Sequence, residues 1–224
     1  MKDLLNKIHH ADCLSFMKQL PDKCVDLVLT DPPYGIGYDK SIANDGGKQT
    51  GHSVVKNRHY HISDWDKEIP SIEIFEQIQR ISKNQIIFGG NYFAHILPAS
   101  RGWICWDKER AGDFFSDCEL AWTSFDMPLK KFVFMWNGML QGDMKNKEER
   151  IHPTQKPRQL FSMILEKYAK EGQVVLDCFS GSGTTALACH DLGLDFICIE
   201  KDADYWKASC ERLTQHQKQM GLGI

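Results

Sequence analysis

A glycine loop placed late in the chain constrains the fold more than any other feature. Val174-Val175-Leu176-Asp177 is a short apolar run, and Gly181-Ser182-Gly183-Thr184-Thr185-Ala186 follows it closely. This reads as a buried strand turning into a helix through a G-x-G-x-x-G/A loop, whose glycines permit a tight turn and close approach of a ligand to the helix start. The next apolar run, Asp195–Glu200, ends on an acid 17 residues after Gly183, where a carboxylate can hold ribose hydroxyls. No lysine follows the loop, so a phosphate-gripping P-loop is excluded. Only 24 residues remain after Glu200, enough for one helix and a tail. A half-unit of a doubly wound sheet needs a third strand beside its second. That strand must come from the N-terminal part of the chain, and the order of the halves is permuted.

The remaining pattern agrees with an α/β fold. Residues 25–30 form a branched apolar run that stops at Asp31-Pro32-Pro33, because prolines continue neither a ladder nor a helix. Residues 71–82 carry Ile72, Phe75, Ile78 and Ile81 at helical spacing. Strands are predicted over 85–90, 103–106, 120–123 and 132–136, and helices over 13–19, 184–192 and 203–219. Pro157 opens another helix, with Leu160, Phe161, Ile164, Leu165 and Tyr168 on one face. Continuous apolar strands alternating with helices imply a mostly parallel sheet covered on both faces. No boundary divides residues 1–224, which read as a single domain. A polar connection over about 35–64 is long enough to be a mobile loop, and about 126–151 is the best candidate for an insert.

Composition excludes several classes. The chain of 224 residues has 42% hydrophobic and 25% charged residues, so it needs no staples and is no disordered tail. No apolar run reaches the roughly 18–20 residues of a membrane span, and the first residues lack the apolar core of a signal peptide. The expected address is cytoplasmic, and the eight cysteines, none in a Cys-x-x-Cys pair, read as free thiols with no metal site. His59 and His61 read as solvated loop residues, and the tryptophans at 103, 106, 122 and 136 as core. The net charge is −3, yet positions 130–158 hold seven basic residues against three acids.

Asp31-Pro32-Pro33-Tyr34 sits at the carboxyl end of a strand, where open α/β sheets place ligands. Its chemistry suits methylation of an exocyclic amino group. Such a nitrogen is a poor nucleophile, since its lone pair is delocalised into the base ring. A carboxylate and a backbone carbonyl that accept its hydrogens would pull it toward a pyramidal shape. The prolines make the turn rigid, and Tyr34 offers a flat face for a flipped base.

Three segments together resemble the amino-group DNA methyltransferases of the permuted β class, which methylate adenine N6 or cytosine N4. They are Asp31-Pro32-Pro33-Tyr34, His152-Pro153-Thr154-Gln155-Lys156-Pro157, and 177–185 with the sequence Asp-Cys-Phe-Ser-Gly-Ser-Gly-Thr-Thr. Their order, catalytic motif before cofactor motif, is that of the class. Cys178 departs from the family, which more often has proline there. The resemblance implies a Rossmann-like methyltransferase fold, with the catalytic half before the cofactor-loop half. It implies S-adenosylmethionine as donor. Asp177, Phe179, Gly181 and Gly183, with Ser182 and Thr184 in the same loop, would surround its methionine part, and Glu200 its ribose. Thr154 and Lys156 resemble residues near the donor carboxylate, and His152 belongs to their motif. Asp12 and Cys13 resemble the pair flanking the adenine ring, although Asp12 also suits a helix cap. Asp31, besides its catalytic role with Pro32, Pro33 and Tyr34, would also contact the donor.

The partner implied is double-stranded DNA with the target base flipped out, together with a possible homodimer and a possible cognate nuclease of a restriction-modification system. The loop over 38–64 would clamp the base, with Lys40, Lys48, Lys56 and Arg58 on phosphates, and about 126–151 would recognise the target. Asp at the head of the Pro-Pro-Tyr turn goes mostly with adenine N6 in this family and Ser mostly with cytosine N4, so site-specific adenine methylation is the expectation. The alternatives are cytosine N4 methylation, an NAD-dependent oxidoreductase using the same glycine pattern, and a non-catalytic DNA-binding relative.

Overall fold

The structure, a computed structural model, describes residues 1–37, 66–109, 116–137 and 140–221. The residues Lys40, Lys48, Lys56, Arg58, His59 and His61, and the loop proposed to carry them, lie outside these. Among the described residues, ten strands form two sheets. They are β1 (Lys7–His10), β2 (Val25–Thr30), β3 (Ser82–Phe88), β4 (Trp103–Asp107), β5 (Cys118–Thr123), β6 (Lys130–Val133), β7 (Trp136–Asn137), β8 (Leu140–Gln141), β9 (Val174–Asp177) and β10 (Asp195–Glu200). The α-helices among the described residues are α1 (Cys13–Met17), α2 (Ile72–Ile81), α3 (Arg158–Tyr168), α4 (Thr184–Asp191) and α5 (Ala203–Gly221).

Eight strands make the main sheet in the order β1-β10-β9-β2-β3-β5-β4-β6. Only β5 runs against the rest, pairing antiparallel with both β3 and β4. The third strand demanded by the permuted order is β1, whose Lys7 to His10 pair in parallel with Ile197 to Glu200. Its four residues hold one buried side chain, Ile8, so no apolar run announces it. What holds it is its backbone ladder and Trp206 of α5, whose Nε1 donates to the Ile8 carbonyl at 2.9 Å.

Side-chain alternation divides the core between the two faces of the sheet. Leu27 and Leu29 of β2 pack with Leu160, Phe161, Ile164 and Leu165 of α3 and with the small residues of α4. Val28 points the other way, onto Met17 of α1 and Phe75, Ile78 and Ile81 of α2, and Val25 at the start of the strand joins the same cluster. Burying such side chains stabilises the fold by about 1.5–3 kcal/mol each. Helices therefore cover both faces, as expected of a parallel sheet.

The strand expected over 132–136 is instead broken in two. Phe134 donates its N–H to the Asp107 carbonyl at 3.1 Å, the last bond to β4, and its own carbonyl is taken by Trp106 Nε1 at 3.0 Å. β6 thus ends at Val133, and Trp136 starts the β7–β8 ribbon, paired with Gln141. So β6, within the segment expected as an insert, completes the main sheet.

The site is positioned by one topological feature. β9 leads through α4 to β10 on one side, whereas β2 leads toward α2 and β3 on the other. β2 and β9 are hydrogen-bonded neighbours whose following chains diverge, which opens a crevice at their carboxyl ends.

Candidate active site

Asp31 follows β2 directly and stands at that crevice. The turn after it has no N–H at Pro32 or Pro33, and the next two amides, Tyr34 and Gly35, both donate to Asp66 Oδ1 at 2.8 and 2.9 Å. Asp66 is buried and clamps the turn from a part of the chain that carried no sequence signal. The Tyr34 hydroxyl donates to Asp31 Oδ1 at 2.6 Å. One face of Tyr34 is taken by Tyr92, stacked at 4.7 Å, and its ring lies so close to Gly89 that a Cβ there would sit 2.1 Å from Cε1. The tyrosine expected to stack a base is thus already stacked by protein on that face. Tyr92, 40% exposed, presents the outer aromatic surface.

The second oxygen of Asp31 takes the Lys156 ammonium at 2.6 Å. The same ammonium lies 3.1 Å from Glu119 Oε2, and Glu119 Oε1 pairs with Lys108 at 2.7 Å. Two carboxylates and two ammoniums thus alternate along one wall. Burial pushes the Asp31 carboxyl above its usual range; Lys156 opposes this and the Glu119 carboxylate adds to it. Burial works the same way on Glu119, but the two ammoniums outweigh it and hold its pKa low. Burial disfavours the charged form of Lys156, and its two carboxylate partners more than restore it. Glu119 and Lys108 were not singled out from the sequence. Glu119 immediately precedes the apolar run predicted as a strand over 120–123, and the observed β5 begins at Cys118 and includes it.

Around the glycine loop the carboxylates are held by backbone and hydroxyl donors. Asp177 Oδ1 accepts from the Thr30 hydroxyl at 2.7 Å and the Phe179 amide at 3.1 Å, and Oδ2 accepts from Thr185 at 2.5 Å. Burial nevertheless raises its pKa to about 6. Glu200 accepts from the Gly181 and Asp202 amides, each at 2.7 Å. Gly181 and Gly183 have φ of +48° and +74°, and a Cβ on Gly183 would come within 3.1 Å of Ser209 Cβ. The Thr184 hydroxyl donates to the Lys156 carbonyl at 3.1 Å, which joins the loop to the His-Pro-Thr-Gln-Lys-Pro segment. Arg212 of α5 donates to the Ser182 carbonyl at 2.9 Å and pairs with Glu148 at 2.6 Å, while Glu148 also caps α3 through the Arg158 amide. His152 packs on Tyr205 with ring centroids 4.3 Å apart. Burial lowers its pKa to about 3, so it is neutral, and Nδ1 accepts from the Thr154 amide. Asp12 does cap α1, accepting from the Ser15 amide at 3.0 Å.

These groups frame two adjoining cavities. One, of about 620 Å³, is lined by Asp12, Cys13, Asp31, Pro33, His152, Thr154, Lys156, Asp177, Phe179, Gly181, Ser182, Thr184 and Glu200 among others. Of the residues singled out for a donor, only Gly183 is off its wall, where it shapes the turn instead. The other, of about 570 Å³, is lined by Asp31, Pro32, Tyr34, Tyr92, Trp106, Lys108, Glu119 and Trp136 among others. Asp31, Thr154, Gln155 and Lys156 belong to both walls.

Known proteins resemble this chain. Type II methyltransferase M.HinfI of Haemophilus influenzae is 26% identical over 254 residues, covering 96% of this chain and 70% of the relative. The crystal structure of the M1.HpyAVI–SAM complex superposes with a TM-score of 0.54 at 24% identity, over 92% of this chain and 99% of the other. PvuII DNA methyltransferase, cytosine-N4-specific, does so with a TM-score of 0.56 at 15% identity, over 97% and 93%. The last two likenesses concern the fold, a permuted Rossmann-like sheet. A family model described as DNA methylase, covering N6 and N4 methyltransferases, matches residues 91–211, more than half of the chain. The chain belongs to the N6/N4 DNA methylase family.

Proposed function

We propose that this protein transfers a methyl group from S-adenosylmethionine to the N6 amino group of a flipped-out adenine in double-stranded DNA. One observation carries the reading: the donor-sized cavity and the second cavity meet at a single wall that includes Asp31 and Lys156. The residues fit the donor. Left-handed glycines leave the loop open to close approach, Glu200 stands at the end of β10 for hydroxyls, and Phe179, Ile74 and Ile199 supply apolar wall for a flat ring. When bound, S-adenosylmethionine supplies an electrophilic methyl on a sulfonium. Asp31 accepts a hydrogen of the incoming amine, and the backbone after it, stiffened by two prolines and clamped by Asp66, aims a carbonyl at the other. The gain comes from orientation and preorganised electrostatics. Neutral His152 packs beside the loop and the buried Asp177 holds it through Phe179 and Thr185.

The choice of adenine rests on Asp31 heading the Pro-Pro-Tyr turn, the residue that goes mostly with N6 in the resembled family. Incubation with isotope-labelled S-adenosylmethionine and mixed-sequence duplex DNA, followed by digestion and mass spectrometry, tests it. Labelled N6-methyldeoxyadenosine is expected. Labelled N4-methyldeoxycytidine would overturn the base and keep the chemistry, and no labelled nucleoside would overturn both.

A further inference from the structure

Asp31 as it stands is poorly placed to serve an amine. Oδ1 takes the Tyr34 hydroxyl and Oδ2 takes the Lys156 ammonium, so an arriving N–H must compete with a cation for its acceptor. A second seat for that cation lies beside it. Glu119 Oε2 is 3.1 Å from Lys156 Nζ, is buried, and among the described residues makes no hydrogen bond. The Lys156 backbone is pinned through its carbonyl to Thr184, so only the tip of the side chain need move. We propose that Glu119 is a positioning residue: it draws the Lys156 ammonium off Asp31 when the target amine docks, leaving Asp31 Oδ2 open to accept the amine hydrogen.

This rests on the methyl-transfer reading of the site. In that step a nitrogen–carbon bond forms, and the carbon–sulfur bond breaks with its pair left on sulfur. The proton leaving nitrogen passes to Asp31 Oδ2 and then to water. Among the described residues, the titratable and charged groups around Asp31 are Lys156, Glu119, Tyr34 and Asp177; around Glu119 they are Lys156, Lys108, Asp31 and Tyr34; His152 lies near Lys156. Removing the Glu119 charge leaves Lys156 wholly on Asp31, which weakens Asp31 as an acceptor and lowers its pKa. Removing Lys108 has the opposite sign, since Glu119 then has Lys156 as its one remaining ion-pair partner among the described residues.

The test compares wild type, Glu119→Gln and Lys108→Met on the same duplex DNA. It reads kcat against pH, donor and DNA affinities, and the titration of the Asp31 carboxyl carbon by NMR in the donor-free protein. For Glu119→Gln, kcat falls by at least about tenfold, within the range of acid–base contributions, while both affinities stay within about twofold. Its acid limb and the Asp31 titration move to lower pH. For Lys108→Met both move to higher pH, a reversal that mere loosening of the fold does not produce. An active wild type with unmoved acid limbs in both variants would overturn this inference alone. A wild type that transfers no methyl would overturn the reading of the site, and this inference with it. If Glu119→Gln fails to fold, the sign of the Lys108→Met shift decides.

Discussion

Each acidic residue of the site has an environment that sets a distinct role. Asp31 is the one carboxylate on the wall common to both cavities. Asp31→Ala should lower methyl transfer at least about a hundredfold while calorimetry finds donor binding within severalfold of wild type. Near-normal turnover in that variant would sink the mechanism. Because Asp31 sits above its ordinary range, activity should fall as pH drops through that raised value, at a higher pH than for a free aspartate. Asp177 behaves differently. Its pKa is raised to about 6, so the native state binds a proton more tightly than the unfolded chain does. The associated stability is full below the unfolded value of about 4 and is lost as pH rises through about 6. Asp177→Asn should therefore flatten that part of the profile, so that the melting temperature of wild type relative to the variant falls between pH 4 and 7. A constant difference over that window would show that the charge of Asp177 is already compensated.

At the scale of elements, the glycine loop is held from outside as much as from within. Arg212 on α5 reaches the Ser182 carbonyl and the Thr184 hydroxyl, and its other nitrogen meets Glu148, which caps α3. One buried ion pair thereby ties α3, the loop before α4, and α5 together. Arg212→Met should destabilise the fold by about 3 kcal/mol in denaturant titrations, because it strands a carboxylate of which 13% is exposed. It should also weaken donor binding by about tenfold, since two loop acceptors lose their donor. A second link, Asp191 of α4 with Arg158 and His216, joins the same three helices farther along and should hold the rest of the layer in place. Neither link was visible in periodicity, which reports on apolar faces and is silent about buried charge.

For the whole molecule, the sheet order accounts for the permutation. β10 is followed by α5, which runs back along the sheet and packs on β1, the strand beside β10. The helix that closes the described chain thus lies against the strand that opens it. A variant with the ends joined by a short flexible linker and reopened at Gly172, in the exposed turn before β9, should keep the sheet order. It should bind the donor within about tenfold of the parent, by calorimetry. Failure to fold, despite an unbroken ladder, would mean that early pairing of β2 with β3 is needed to template β9. DNA affinity also belongs to this scale. The exposed Lys145 and Lys147 follow β8, and their joint replacement by alanine should reduce the salt slope of DNA binding by about 2.

Sequence alone carried the class of fold, the permuted order and most of the residues that line the cavity at the glycine loop. These depend on local facts: prolines that stop a strand, glycines that open a turn, and apolar runs that must be buried. It also narrowed the chemistry, through an acid heading a rigid turn. It did not reach β1, Asp66, Glu119, Lys108 or Arg212. β1 is too short and too polar to show an apolar pattern, and its strand character comes from β10 beside it. Asp66 and Glu119 matter through partners 31 to 37 positions away, Lys108 through Glu119 11 positions on, and Arg212 through one 64 positions away. Only the tertiary structure brings those charges within 2.6–3.1 Å of each other, where burial makes each of them depend on the next.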